Sequence, residues 1–233
     1  MTRFITIASA KGGVGKTTTA VNTALALSHA GKNVILLDAD MTVPATTYHL
    51  GVETPEHTLH DVLEGKKSIQ DVLYAHSSGL RLIPSSNALK WQSTHKKKLS
   101  EALLDLVGKA EIVIIDSSAT LGEHTLAALK PTDETIIVTN PDLPSVMAAK
   151  KTVLLAQETG SVVAGIVVNR LQNRSYEIPI EEIASLTRKP VLAAVPEDRN
   201  IPKAISMRKP LLQAFPSSKA SKEFRHLADL LNI

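Results

Sequence analysis

The 233-residue sequence has no cysteine, which excludes disulfides, thiolate metal sites and iron–sulfur ligation. Aromatic residues make up 3% of it, too little for the stacking platforms that bind single-stranded nucleic acids. No apolar run approaches the ~20 residues of a membrane-spanning helix. The apolar start Phe4–Ala8 runs into a glycine loop and not into a cleavage site, so the protein is expected to be cytoplasmic. A strong charge of one sign is missing too, since 26 Lys and Arg against 23 Asp and Glu leave a net charge of +3. The small excess sits toward the C-terminal end, where residues 188–225 hold nine Lys or Arg and three Asp or Glu. With no internal repeat, low-complexity segment or linker, one domain spanning 1–233 is expected.

What is present is 43% hydrophobic residues, arranged as short β-rich runs that alternate with longer segments of helical period. Strands are expected at Phe4–Ser9, Asn33–Asp38, Leu80–Pro84, Glu111–Asp116, Glu134–Thr139, Val162–Asn169 and Val191–Val195. Helices are expected at Lys16–Ala30, Ser93–Val107, Ser145–Thr159, Ile180–Leu186 and Ser218–Leu231. Runs such as Val-Ile-Leu-Leu are apolar on both faces of the pleat, as in a parallel sheet covered by helices on both sides. The fold class is therefore α/β, a doubly wound and mostly parallel sheet. In the last helix Phe224, Leu227, Ala228 and Leu231 recur at i, i+3, i+4 and i+7, which reads as a core-facing stripe.

Between the first strand and the first helix lies Ala10-Lys11-Gly12-Gly13-Val14-Gly15-Lys16-Thr17-Thr18, the place and composition of a phosphate-binding loop. Its glycines let successive N–H groups turn inward around phosphate oxygens, and the helix that follows adds orphan donors and a positive dipole end. Lys16 is expected to reach the β- and γ-phosphates and the Thr17 hydroxyl to ligate magnesium. The ordinary pattern G-x-x-x-x-G-K-[ST] has glycine where this chain has Ala10, and a second lysine, Lys11, marks the variant. A glycine-rich turn with two solvated lysines is the competing reading, disfavoured by the length and placement of the match.

Lys-Gly-Gly-Val-Gly-Lys-Thr-Thr resembles the deviant Walker A motif of the MinD/ParA family of P-loop ATPases. The resemblance runs on through Asp38-Ala-Asp40, Val-Ile-Ile-Asp116-Ser-Ser, Ile-Val-Thr139-Asn140-Pro141, Val-Val-Asn169-Arg170 and Val-Pro196-Glu197-Asp198. It implies ATP and Mg2+ as cofactors. It also implies a loop from Lys11 to Thr18 around the phosphates, with Lys11 reaching across a dimer interface to the partner's nucleotide. Asp40 would orient the attacking water, while Asp38 and Asp116 would lie near the metal. Asn169 with Arg170 would read the base, and Pro196, Glu197 and Asp198 would lie beside it. Two departures stand out. Asp116-Ser-Ser-Ala-Thr120 lacks the proline and glycine that the family carries after the aspartate, so a switch II that moves or couples differently is expected. Met41-Thr-Val-Pro-Ala45 replaces the G-L-R-N common in MinD proteins.

Two half-sites that complete each other on association make hydrolysis depend on dimerisation. The favoured reading is a MinD-like ATPase: a homodimerising switch that hydrolyses ATP slowly and positions a cellular assembly or the cell division machinery, with an unidentified regulatory or cargo protein as partner. The alternative is a ParA-type partition ATPase that binds DNA non-specifically through its basic end. A silent scaffold that binds nucleotide without turnover is a third. Metallocofactor carriers are disfavoured by the absence of cysteine, and tyrosine kinases by the scattered Tyr48, Tyr74 and Tyr176. With no amphipathic extension after Leu231, membrane association is expected to be peripheral or through a partner. His49, His57 and His60 lack a metal-ligand spacing and are read as exposed or packing residues.

Overall fold

The runs read as strands become neighbours in one sheet because each is apolar on both faces and has to be covered twice. The computed structural model describes residues 1–41, 43–52, 55–86, 98–119, 128–130 and 132–232. In chain order its elements are β1 (Arg3–Ala8), α1 (Lys16–His29), β2 (Val34–Asp38), α2 (Thr46–Leu50), α3 (Leu59–Leu63), β3 (Tyr74–Ala75), β4 (Arg81–Ile83), α4 (Leu99–Leu104), β5 (Ile112–Asp116), β6 (Glu134–Thr139), α5 (Leu143–Glu158), β7 (Val162–Leu171), α6 (Ile180–Thr187), β8 (Val191–Pro196), α7 (Asn200–Ser206), α8 (Leu211–Ala214) and α9 (Lys219–Leu231). The sheet order is β3-β4-β2-β5-β1-β6-β7-β8. Every described pairing is parallel except β3 with β4. The chain winds away from β1 in one direction through β2 and β4, returns at β5, and then winds the other way. The carboxyl end of β1 is therefore the switch point at which such sheets bind ligands.

Alternate residues of the central strands feed opposite cores. Ile5 and Ile7 of β1, Leu36 of β2 and Ile114 of β5 face Val21 and Leu25 of α1 and Phe224, Leu227, Ala228 and Leu231 of α9. Phe4, Ile35, Leu37, Val113 and Ile115 face the α3 and α4 side. Ala8, Ile137 and Val168 meet Val146, Ala149 and Val153 of α5. The stripe expected on the last helix is thus buried in the core, with Leu231 the most exposed of the four at 4%.

Some expectations need correction. The antiparallel edge strand β3 and the short helices α2, α3, α7 and α8 had no pattern behind them, since four to seven residues are too few to display a 3.6-residue period. Strand β7 continues past Asn169 to Leu171, so Asn169 lies inside the strand and not at its end. Helix α5 begins at Leu143, two residues earlier than expected, because Asp142 caps it and a proline occupies its first turn. Of the helix expected at Ser93–Val107, the part from Leu99 to Leu104 is helical, and residues 93–97 lie outside the described residues.

His49 on α2 is 8% exposed, and burial pushes its pKa down to about 4. A base whose folded pKa lies below its unfolded value binds fewer protons when folded. Its contribution is present above the unfolded pKa of ~6.5 and is lost as pH falls toward the folded value. Between pH 7 and pH 4, wild type should therefore lose ~3 kcal/mol relative to His49→Gln. Urea unfolding of both proteins across that range checks it, and a stability difference independent of pH would contradict it.

Candidate active site

The loop after β1 delivers its residues to the switch point. Gly15 is the N-cap of α1, in a left-handed conformation with no side-chain cap, and the first turn of α1 carries no acidic residue. The orphan N–H groups of that turn and the positive end of the helix dipole are thus uncompensated, as an anion site requires. They open on a cleft of about 530 Å³, lined by Gly12, Gly13, Gly15 and Lys16 to Thr18, with Asp40, Val43, Ala119 and Arg170 around them. That volume suits a nucleotide.

Asp38 and Asp116 end β2 and β5 and stand opposite each other in the parallel register. They are 0% and 1% exposed. Burial raises Asp38 to about 6 against three hydrogen bonds to its carboxylate. Burial also raises Asp116 well above the ordinary range, the charge of Asp38 adds to the rise, and the Thr17 hydroxyl and Lys16 oppose it. Lys16 is 7% exposed, and desolvation pushes the pKa of its ammonium down while Asp116 and Asp40 hold it up. One buried cation thus faces a buried carboxylate, Asp116, and a half-buried one, Asp40.

The Asp116 carboxylate receives the Thr17 hydroxyl, and its Oδ1 is buried without a hydrogen-bond partner among the described residues. A hydroxyl beside a carboxylate oxygen with no donor is a hard-oxygen donor set of the kind magnesium takes. Asp38 is more fully engaged than the sequence suggested. Its Oδ1 accepts the Asp40 N–H (3.0 Å), and its Oδ2 accepts both the N–H (3.2 Å) and the hydroxyl (2.7 Å) of Thr46. Asp40 lines the cleft and accepts the N–H of Val43 at 3.0 Å.

Lys11 is not among the cleft's lining residues. Its Nζ lies 3.1 Å from Asp142 Oδ1 and 2.7 Å from Ser145 Oγ, at the start of α5. The sequence reading missed these partners, although Asp142-Leu-Pro-Ser145 carries a helix-start signature. Asn169 lies beneath the loop, 3% exposed, and its Nδ2 donates to Val14 O at 2.7 Å. Its Oδ1 is buried with no partner among the described residues, an acceptor suited to an amino group. Arg170 is exposed at the cleft rim. Pro196 ends β8 and Glu197 and Asp198 follow it, three strands from β1, outside the cleft lining. Asp198 gives its oxygens to the N–H groups of Asn200 (2.9 Å) and Ala220 (3.4 Å), so it ties α7 to α9. Of switch II, Ser117 and Ser118 are buried and Ala119 lines the cleft, while Thr120 lies outside the described residues.

Residues 1–232 match the ParA family, described as NUBPL iron-transfer P-loop NTPase. The chain is 37% identical over 225 residues to the uncharacterized ATP-binding protein MJ0547 of Methanocaldococcus jannaschii, covering 96% of this chain and 85% of that one. It is 30% identical over 237 residues to the septum site-determining protein MinD of Synechocystis sp., covering 98% and 87% of the two chains. Among solved structures it is similar to the septum site-determining protein MinD complexed with Mg-ADP from Pyrococcus horikoshii OT3. That likeness has a TM-score of 0.95 and 31% identity over 100% of this chain and 96% of the other. The family match, the sequence identities and the likeness of fold all span nearly the whole chain, and the chain belongs to the MinD/ParA family of P-loop ATPases.

Proposed function

We propose that this protein is a MinD-like switch: it binds ATP with magnesium, pairs with a second copy of itself around the nucleotide, and hydrolyses ATP slowly. The observation that carries this reading is the position of Lys11. Its own cleft does without it, because the ammonium is held by Asp142 and Ser145 on α5. The pair is exposed, with side-chain accessibilities of 41% and 45%, so it contributes no more than ~1 kcal/mol. A tether that weak is readily exchanged for a γ-phosphate in a partner's site.

In this reading the N–H groups of the loop and Lys16 hold the β- and γ-phosphates, Asp40 orients the attacking water, and Lys11 from the second copy meets the charge that develops on the transferred group. Magnesium at Thr17 and Asp116 neutralises phosphate charge when bound. Asn169 and Arg170 face the base, with the loop of Pro196, Glu197 and Asp198 beyond. After hydrolysis the two lysines face each other without the γ-phosphate between them, which releases the partner.

The output of the dimer is contact with a regulatory or cargo protein that places a cellular assembly, as the names of the septum site-determining relatives suggest. The iron transfer in the family's description has no support in a chain without cysteine. Non-specific DNA binding is the second reading, and the exposure of Lys203, Arg208, Lys209, Lys219 and Lys222 favours it. Retention of duplex DNA on a filter with ATP, falling steeply with salt, would select it. No helix among the described residues is long and apolar enough to cross a membrane.

Specific ATPase activity measured against protein concentration tests the switch. It should rise with concentration in wild type and stay flat and about 10²-fold lower or more in Lys11→Ala. Activity independent of concentration, or a Lys11→Ala protein at the wild-type rate, would overturn the cross-subunit role.

A further inference from the structure

Helix α2 is one and a half turns long, and the residue before it, Ala45, has no side-chain oxygen with which to cap it. A helix that short has orphan N–H groups and little cooperativity of its own. Help comes from elsewhere. Asp38, at the end of β2, accepts both the N–H and the hydroxyl of Thr46 on Oδ2, so a carboxylate of the ATPase site satisfies an orphan N–H of the helix's first turn. Both partners are 0% exposed, and no water competes for the bond. The far end of α2 is closely packed: Gly51 approaches Arg208 so nearly that a Cβ there would stand 2.5 Å from its carbonyl oxygen, and the carbonyl of Leu50 lies 2.7 Å from His76 Nε2. Thr46 is therefore fixed from behind and holds Asp38 from in front.

We propose that Thr46 is a positioning residue of the ATPase site: its hydroxyl holds the Asp38 carboxylate in place beside Asp116, which with Thr17 would hold the metal of the bound nucleotide. Asp38 has two oxygens and three donors, and the two bonds from Thr46 fix the rotation of the carboxyl group that the single bond from Asp40 leaves free. The same two bonds make the start of α2 part of the site, so a change at Asp38 is felt at the helix's first turn. The proposal rests on the reading of the cleft as a magnesium–nucleotide site.

Thr46→Val, which keeps the shape and loses the hydroxyl, and Thr46→Ser, which keeps the hydroxyl, separate positioning from packing. The quantity to read is the magnesium concentration that half-saturates the stabilisation of ADP-bound protein in thermal unfolding, a readout independent of turnover. Thr46→Val should need about 10-fold more magnesium while binding ADP without metal as wild type does, and Thr46→Ser should lie within about twofold of wild type. If Thr46→Val does not fold, Thr46→Ala reports the same quantity. A hydroxyl-free variant with the wild-type magnesium requirement, or one in which metal-free ADP binding falls by the same factor, overturns the positioning role. Wild type unaffected by magnesium would overturn the nucleotide-site reading itself, and the proposal with it.

Discussion

Gly15→Ala is expected to lose nucleotide binding by ~10²-fold or more and to cost ~2–4 kcal/mol of stability. Gly15 has φ 102°, where an alanine is strained. The added Cβ would also stand 2.1 Å from Asn169 Nδ2 and 3.3 Å from its Cγ. Asn169 cannot step aside cheaply, because it is 3% exposed and its Nδ2 is bonded to Val14 O. Relief of the clash breaks the bond that supports the loop from below, and the N–H groups that face the cleft lose their arrangement. Gly65→Ala is the control: its φ is 73° and nothing lies within 4 Å of the added Cβ, so it should cost ~1–2 kcal/mol of strain and leave binding intact. Denaturant unfolding with calorimetric titration of Mg-ADP separates the two. Equal losses of stability with binding retained in both would contradict the role given to the Gly15–Asn169 contact.

The second large effect is expected from Asp116→Asn. A carboxylate whose folded pKa is raised holds its proton more tightly in the folded than in the unfolded protein, so stability falls as pH rises from the unfolded pKa through the folded one. Asp38, raised from 3.8 to about 6, and Asp116, raised well above its ordinary range, both act in this direction. Removal of the neighbouring charge at position 116 relieves both members of the pair. Without metal, Asp116→Asn should be more stable than wild type at pH 8, with the advantage shrinking toward pH 4, where the wild-type carboxyls are protonated. With ADP, the variant should need roughly 10–100-fold more magnesium. The two halves of the prediction have opposite signs, which sets a metal-holding carboxylate apart from one that only holds the fold. A variant less stable than wild type at pH 8 with an unchanged magnesium requirement would contradict it.

The strands and the loop could be read from the sequence because their signals are local. The apolar run at residues 112–116 and the spacing of Gly12, Gly13, Gly15 and Lys16 stand in consecutive positions, and the structure places them as β5 and as the loop between β1 and α1. Side chains that meet across the fold were another matter. The resemblance gives Lys11 to a partner subunit, and nothing near it in sequence announces Asp142 and Ser145, more than 130 residues away. Thr46 carries no signal in the sequence, because a threonine in a short segment has no pattern around it, and its tie to Asp38 follows from where β2 ends. The resemblance assigns Asn169 to the base, and the structure adds a bond from its amide N–H to the loop itself, which only the pairing of β6 with β7 brings close. The short helices escaped for want of length.

The central claim is that ATP, and not ADP, brings two copies together through Lys11. Light scattering on Asp40→Ala, which should bind ATP without consuming it, measures this directly. The account predicts a dimer with magnesium and ATP, a monomer with magnesium and ADP, and a monomer with either when Lys11→Ala is added. A monomer with bound ATP, or a dimer indifferent to the nucleotide and to Lys11, would contradict it.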